Sequence, residues 1–426
     1  MDKNTTTGLI LIGAVVLAFM FLNKPQEPSV TNTTATEFND IDSSKSEVKS
    51  SVNTTIQESA FNDLDSADMI IYQKLKDQQE QEELIERYGI FYGSVSGQEK
   101  NYSLENDKIK LSFTNKGARI TNAQMVELDD NGLFKYRTYQ DFIKNENNPI
   151  SLFEENTSAM SLSLVDAEKV VPIESEDLFF NLVKQNDSLL VFRAFAGSND
   201  KYLEFSYSLS EGKYDVDFEI NYYNIENDIK SDVDLKWSMN GLSTEKIASD
   251  ERIITTIMYR NFGNSRDYLS ETSDDEEILD GNLNWIAYKQ KFFSCILLSE
   301  EGIGKSKVSC KVLEGDRYTD SFASKSSIPS LGKVSLKFLF VPNDFDLLES
   351  YESEIEDIIN LGGSVFAWVN RYMIDPVFKY LMTTGLSLGL IILLLTIIVK
   401  IVIMPLTYKN YMSTAKTKVI KPEMSK

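Results

Sequence analysis

One stretch near the C-terminal end restricts the fold of this chain more than any other. Residues 380–408 contain a single charged side chain, Lys400. Their central part, residues 386–399 (LSLGLIILLLTIIV), is apolar on every side of a helix, as a lipid-facing helix must be. About 20 apolar residues are needed to cross a bilayer as a helix. The sequence therefore predicts a transmembrane helix over residues 381–408.

A second apolar stretch lies at the N-terminus. The 20 residues between Lys3 and Lys24 are uncharged, and residues 8–22 (GLILIGAVVLAFMFL) are continuously apolar. A cleaved signal peptide would need small residues at a cleavage site after the apolar run, and Leu22 and Asn23 do not provide one. We therefore predict an uncleaved transmembrane anchor over residues 1–25.

The distribution of charge gives the orientation of these two helices. After the second helix the chain carries five lysines and one acidic residue, Glu423, so this basic tail is expected to be cytoplasmic. Two spans return the N-terminus to the cytoplasm and place residues from about 25 to 380 outside. In a bacterial cell inner membrane, outside means the periplasm. The strongly acidic middle, with 34 basic and 62 acidic residues over 23–363, does not conflict, because large domains translocate regardless of charge.

Composition excludes most catalytic and nucleic-acid functions. The net charge of -22 does not suit a nucleic-acid binder, which needs a basic face for phosphate. The absence of histidine excludes Ser-His-Asp catalysis and His-ligated zinc, and two cysteines are too few for a Cys₄ zinc site or an iron–sulfur cluster. No nucleophile with an adjacent base is present. We predict no catalytic residue, no cofactor and no metal site.

The outward region has the pattern of an all-β domain. In residues 214–223 (YDVDFEINYY), apolar and polar residues alternate, which predicts a strand with one buried face. Residues 233–239, 292–298, 307–312 and 334–341 behave similarly. Asn131-Gly132 between apolar runs predicts a two-residue hairpin turn. Many short strands without intervening amphipathic helices indicate a sandwich of two large sheets. An acidic helix is predicted to close the domain over residues 344–361, with apolar residues on one side.

The two cysteines, Cys295 and Cys310, fall within this β region. If they belong to a hairpin centred between Gly302 and Ile303, they lie opposite each other with Cα atoms about 4.5 Å apart, near the short limit for a disulfide. An oxidising compartment would permit that bond. The alternative is a pair of buried free thiols.

An amphipathic helix is predicted just before the second span, over residues 362–380. A polar stripe along it is formed at every fourth position by Arg371, Asp375 and Lys379. Such a helix lies flat at the membrane surface, with Trp368 at the level of the headgroups, and Pro376 is expected to kink it. It is either a simple stop before an anchor or a mechanical link between the outer domain and the membrane part.

These C-terminal residues resemble the YidC/Oxa/Alb family of membrane protein insertases, in particular the Gram-negative YidC type with a large periplasmic domain. The matching pieces are residues 371–376 (RYMIDP), 396–407 (TIIVKIVIMPLT), 411–416 (YMSTAK) and 421–424 (KPEM), with weaker matches at 111–120 and 285–293. The resemblance implies a β-super-sandwich periplasmic domain and a helical bundle with a hydrophilic groove. It also implies that nascent membrane proteins are inserted, folded and assembled, alone or with the Sec translocon, without covalent chemistry.

Two features depart from the family pattern. The chain stops at Lys426, where the family's cytoplasmic hairpin would begin, so this chain by itself is not expected to form the groove. Any contact with the ribosome would belong to that missing C-terminal part. Lys400 stands where the family usually has a groove arginine, and we predict that it supplies the positive charge of the client groove. The alternative is that Lys400 snorkels to the cytoplasmic headgroups, since only about 9 Å of helix separates it from Leu406.

The predicted organisation follows the family order. It comprises an N-terminal transmembrane anchor (1–25), a flexible periplasmic tether (26–66), a spacer helix (67–89), a periplasmic β-super-sandwich (90–343), a closing helix (344–361), an interfacial amphipathic helix (362–380), a second transmembrane helix of the insertase core (381–408) and a basic cytoplasmic segment (409–426). A membrane-tethered β-sandwich that acts as a binding or scaffold module remains the alternative function. A carbohydrate-processing sandwich would require paired carboxylates flanking a cleft.

Overall fold

The computed structural model describes residues 66–165, 172–229, 232–330, 332–362 and 364–424. The predicted anchor (1–25) and nearly all of the tether (26–66) lie outside these residues. The first described helix, α1, covers Ser66–Tyr88. Its exposed middle contrasts with its end, where Tyr88 is buried in the core of the β domain.

Antiparallel strands make up most of the described chain. In chain order they are β1 Asn101–Glu105, β2 Ile109–Thr114, β3 Arg119–Met125, β4 Ile150–Ser151, β5 Ser158–Val165, β6 Pro172–Glu174, β7 Asn181–Asn186, β8 Leu189–Phe195, β9 Tyr202–Leu209, β10 Asp215–Tyr223, β11 Asp232–Leu242, β12 Thr256–Asn261, β13 Asp267–Tyr268, β14 Asp275–Leu279, β15 Leu283–Lys289, β16 Phe293–Ile303, β17 Ser306–Val312, β18 Tyr318–Pro329 and β19 Lys333–Pro342. The helices are α2 Tyr139–Lys144, α3 Ala248–Arg252, α4 Phe345–Glu349, α5 Ser364–Val369, α6 Asp375–Met382 and α7 Leu388–Met424. Short 3₁₀ helices cover Gly89–Ser94, Glu155–Thr157, Ser175–Asp177 and Ile355–Ile358.

The strands form three sheets rather than the two predicted. A nine-stranded sheet has the order β13-β12-β15-β16-β19-β10-β9-β8-β7, a six-stranded sheet the order β14-β17-β18-β11-β5-β6, and a four-stranded sheet the order β1-β2-β3-β4. The alternation predicted for residues 214–223 is present in β10, where Val216, Phe218, Ile220 and Tyr222 are buried. The predicted β class is confirmed. The third sheet was missed because strand patterns do not say which strands pair.

Aromatic side chains join the three sheets into one core. Tyr288 of the nine-stranded sheet stacks between Trp237 and Phe322 of the six-stranded sheet, at ring-centroid distances of 4.1 and 5.2 Å. At the other end of the nine-stranded sheet, Tyr207 packs against Phe113 of the four-stranded sheet at 4.9 Å. Burial of such large rings is a main source of stability in a sandwich.

The hairpin that would have placed Cys295 and Cys310 opposite each other is not formed. Strand β16 belongs to the nine-stranded sheet and β17 to the six-stranded sheet, so the chain changes sheets between them. At that corner a Cβ on Gly304 would lie 2.8 Å from the carbonyl oxygen of Ser327, so only glycine allows the approach. Both thiols are free and buried, and burial raises the pKa of Cys310 to about 12. This arrangement matches the alternative of two buried free thiols.

The Asn131-Gly132 segment forms a tight turn but not the predicted two-residue hairpin. Gly132 has a φ of 75°, whereas Asn131 is not among the residues with positive φ. The Asp129 carboxylate accepts hydrogen bonds from the backbone N–H groups of Asn131 and Leu133, at 2.9 and 3.0 Å. This side-chain capping stabilises a turn with only one left-handed residue.

The predicted closing helix over 344–361 is broken in two. Helix α4 ends at Glu349, and a 3₁₀ helix follows at Ile355–Ile358. Acidic residues are unfavourable at the C-terminal end of a helix, and both Glu352 and Glu354 adopt positive φ. The segment is also held on the nine-stranded sheet, where the Arg260 guanidinium donates to Asp357 at 2.8 Å.

One buried carboxyl group makes the stability of the domain depend on pH. Asp320 of β18 is 1% exposed, and its Oδ2 has no hydrogen-bond partner among the described residues. Burial raises its pKa to about 7, with Asp274 also raising it and Arg252 lowering it. The unfolded value is about 3.9, so between these two pKa values the folded state keeps a proton that the unfolded state has released. Stability due to this group therefore falls as pH rises through that window.

We expect Asp320→Asn to remove this pH dependence and to raise the unfolding free energy at pH 8 by on the order of 3 kcal/mol. Urea unfolding at pH 5 and pH 8 measures the effect. Asp187→Asn, in the exposed turn between β7 and β8, is the matched control and should behave like the parent. A parent protein equally stable at both pH values would contradict the prediction.

Candidate functional site at the membrane-proximal junction

The segment after the β domain is helical but not uniform. Helix α5 passes into a π turn at Asn370–Ile374, which is followed by α6. Pro376 cannot donate a backbone hydrogen bond, and its ring would clash with the carbonyl of residue 372 in a regular α-helix. The π turn ends at Ile374, directly before Asp375 and Pro376, and its wider backbone relieves that clash. The helical segment thus runs from Ser364 to Met382, against the predicted 362–380.

The polar stripe of this segment faces the short helix α4. Arg371 pairs with Glu349, and Lys379 pairs with Asp346. The Arg371 guanidinium also lies 5.0 Å from the ring centre of Phe345. The hydrogen bonds that Lys379 donates to Asp346 and to Asp375 raise the pKa of Lys379, which keeps it charged. The polar stripe in the sequence predicted the basic side of this contact. Asp346 and Glu349 could not be predicted, because no sequence pattern says what α4 faces.

The contact between α4 and the helical segment is polar at its edge and apolar within. It encloses a cavity of about 390 Å³ bordered by Phe345, Leu361, Tyr372, Phe378 and Leu395. Exposed ion pairs contribute only about 0.2–1 kcal/mol each. Two such pairs hold the junction in register without making it rigid.

Two aromatic side chains at the junction are open to the surroundings. Trp368 and Tyr372 are 61% and 62% exposed, and their ring centres lie 5.9 Å apart. Exposed Trp and Tyr side chains are favoured at the level of lipid headgroups. Asp375 forms an ion pair with Lys379 at 2.7 Å, within the same helix.

The predicted transmembrane helix begins later than expected. Residues 383–387 form a turn in which Gly385 has a φ of 71°, so α7 begins at Leu388 instead of residue 381 and continues without a break to Met424. Among the described residues, one helix is long and apolar enough to cross a membrane. Its apolar window, Leu388–Pro405, has a mean hydropathy of 2.8, and 6% of it is buried.

Lys400 lies on the side of α7 that faces away from α6. Ile391, which is 1% exposed, marks the side of α7 that faces α6. At 3.6 residues per turn, nine residues rotate the helix by about 180°, so Lys400 is on the opposite side. It is exposed, and no hydrogen bond or ion pair joins it to any described residue. The structure thus does not bring Lys400 together with the junction residues Trp368, Arg371, Asp375 and Pro376.

These features define the class of protein. A large β-sandwich domain is joined, through an amphipathic helical segment, to a helix that can cross a membrane. The family of the YidC periplasmic domain matches residues 101–375. The chain belongs to this YidC family.

The relatives extend the match to both ends of the chain. The chain is 31% identical over 447 residues to the membrane protein insertase YidC of Parabacteroides distasonis, with 100% of this chain and 66% of that protein covered. It is 31% identical over 442 residues to the membrane protein insertase YidC of Phocaeicola vulgatus, with 99% and 65% covered. The chain therefore spans slightly less than two thirds of the length of these relatives.

Solved structures give only distant matches. A galactose mutarotase related enzyme from Lactobacillus acidophilus matches with a TM-score of 0.37 and 9% identity, over 57% of this chain and 97% of that one. A galactose mutarotase-like protein from Lactobacillus casei matches with a TM-score of 0.37 and 12% identity, over 57% and 100%. These scores support no statement about the activity of this chain.

Proposed function

We propose that the protein is a membrane protein insertase and chaperone of the bacterial inner membrane. Its clients are nascent membrane proteins, which it helps to insert, fold and assemble, alone or with the Sec translocon. The proposal is supported by one observation above all: the similarity to insertases runs through the β domain and on through the apolar helix with Lys400. The proposed activity consists of binding and release at the membrane and needs no cofactor or covalent step.

Insertion in cells tests this proposal. The complete protein is expressed in cells depleted of their own insertase, and protease accessibility of a client tail measures insertion. We expect insertion to be restored. If insertion is not restored, the proposal is wrong. In a second arm, residues 388–405 are replaced by a Leu/Ala helix of equal length. If that helix supports insertion equally well, α7 serves only as a membrane anchor.

The proposed topology can be tested separately. We expect reporter fusions after Lys24 and after Gly362 to be periplasmic and a fusion after Lys418 to be cytoplasmic, because the lysine-rich end of α7 is retained inside. Alkaline phosphatase activity reports a periplasmic fusion, and green fluorescent protein fluorescence reports a cytoplasmic one. A cytoplasmic signal after Gly362 would contradict the two-span arrangement.

A further inference from the structure

A basic and aromatic surface lies on the β domain around helix α2. We define it by six residues: Arg137, Phe142, Ile143, Lys144, Lys291 and Phe292. Phe142 and Ile143 are 66% and 60% exposed, and Phe292 is 43% exposed. Four of the six border an open cavity of about 630 Å³. Large contiguous groups of exposed apolar residues are uncommon on soluble proteins, and they usually mark interaction sites.

Helix α2 is held firmly, so the exposure of Phe142 and Ile143 does not result from a loose loop. Thr138 and Asp141 form a reciprocal capping box at its start, and Asn145 ends it in the left-handed conformation. The Tyr139 backbone N–H donates to the Thr244 carbonyl at 2.8 Å. The fold thus holds two adjacent large apolar side chains in contact with water, which is energetically unfavourable.

The cavity beside this surface is bordered by a small excess of basic side chains, although the domain as a whole is acidic. Residues 23–363 carry 34 basic and 62 acidic residues, whereas the cavity is bordered by three basic side chains, Lys135, Arg137 and Lys291, and by two acidic ones, Glu245 and Asp344. Lys291 forms an ion pair with Glu245, with 3.4 Å between Nζ and the carboxylate Oε1. Arg137 makes no ion pair or hydrogen bond with any residue that the structure describes, and it is half-buried beside the cavity. Arg137 interacts electrostatically with Asp129, and its positive charge beside exposed aromatic rings suits an anionic amphipathic surface.

The surface lies close to the membrane-proximal junction. Pro342, Asn343 and Asp344 border its cavity. The next residues form α4, whose Asp346 and Glu349 bind the helical segment. That segment leads, after five residues of turn, into the apolar helix α7. The chain therefore leads directly from the border of this cavity into the membrane-proximal junction.

We propose that the basic and aromatic surface binds the bilayer itself, with Phe142, Ile143 and Phe292 among the headgroups and Arg137, Lys144 and Lys291 against anionic phospholipid. This inference rests on the proposed topology, which places the β domain at the periplasmic leaflet. Each basic side chain near an anionic membrane surface adds attraction, and aromatic side chains are favoured at the interface. The contact would fix the β domain against the membrane on a second side of the junction.

The test uses the complete protein in vesicles and a spin label at Ile143→Cys. The native thiols are buried and do not compete for the label. The control label is at Val183→Cys, which is 43% exposed on β7, at the opposite end of the nine-stranded sheet from β13. Accessibility to oxygen is compared with accessibility to a water-soluble nickel complex. The vesicles contain either phosphatidylethanolamine with phosphatidylglycerol or phosphatidylcholine alone.

We expect the label at Ile143 to favour oxygen in phosphatidylglycerol vesicles and to lose this preference in phosphatidylcholine, while the label at Val183 stays in water in both. Arg137→Glu should lower the fraction in contact on the order of tenfold, whereas Lys184→Glu on β7 should leave it unchanged. A label at Ile143 that is as water-accessible as the one at Val183 overturns the inference. Protection that arises only when a purified translocon is added also overturns it, since the surface would then bind a protein. Client insertion measured in the same vesicles reports on the proposed function separately.

Discussion

Lys400→Glu in the complete protein is expected to lower insertion of a client with an acidic translocated tail by tenfold or more. A charge inside a span costs about 2.5–3.5 kcal/mol on insertion scales and is retained mainly where it has a function. Two unit charges 8 Å apart attract by about 2 kcal/mol at an effective dielectric constant near 20, which corresponds to roughly a thirtyfold change in binding. Glutamate replaces this attraction by repulsion.

The other substitutions at this position separate charge from geometry. Lys400→Arg keeps the charge and should support insertion, whereas Lys400→Ala should impair it about tenfold. The measurement is protease accessibility of the client tail in depleted cells, at equal expression of each variant. The position of Lys400 on the side of α7 away from α6 leaves its side chain free for a client or for further helices. Normal insertion with alanine and with glutamate would mean that the lysine only snorkels to the headgroups.

Tyr288→Ala is expected to destabilise the β domain by about 3–5 kcal/mol, the usual cost of a large cavity in a core. Tyr288 is fully buried. Its ring lies between Trp237 and Phe322, and its hydroxyl donates to the Trp237 carbonyl at 2.7 Å. The variant removes both the stacking across the two sheets and this hydrogen bond. Tyr288→Phe should cost about 1–2 kcal/mol, because only the hydroxyl and its hydrogen bonds to the Trp237 carbonyl and to Ser324 are lost.

Urea unfolding followed by tryptophan fluorescence measures these effects. Two of the three tryptophans, Trp237 and Trp285, are buried in the β domain and report on its core. The matched control is Tyr268→Ala on the edge strand β13, where the side chain is 53% exposed. It should change the unfolding free energy by less than about 0.5 kcal/mol. If Tyr288→Ala behaved like this control, the two sheets would not be joined through Tyr288.

Local patterns predicted local structure well. The alternation over residues 214–223 is reproduced by β10, because a strand with one buried face needs it. The apolar run before Lys400 is reproduced by α7. These features depend on the periodicity of a helix or a strand and on burial. Both are determined by the pattern of neighbouring residues.

Features that depend on distant residues could not be predicted. Whether β16 continues into a hairpin or changes sheets depends on which strand pairs with β17, and its partners are β14 and β18. The closing helix breaks where Trp285 donates to the Ser353 carbonyl at 3.2 Å, a contact across 68 residues. At the junction, the predicted stripe residue Arg371 meets an acidic partner 22 residues earlier. In each case the decisive energy comes from tertiary contacts that no local pattern contains.

Insertion by the purified complete protein tests most directly the proposal that the protein inserts membrane proteins. The protein is reconstituted into vesicles of phosphatidylethanolamine and phosphatidylglycerol without any other protein, and a client is synthesised in their presence. We expect the client to become protected from protease and resistant to carbonate extraction, and we expect vesicles with the Lys400→Glu variant to protect far less of it. Equal protection in empty vesicles and in vesicles that contain the protein would contradict the account.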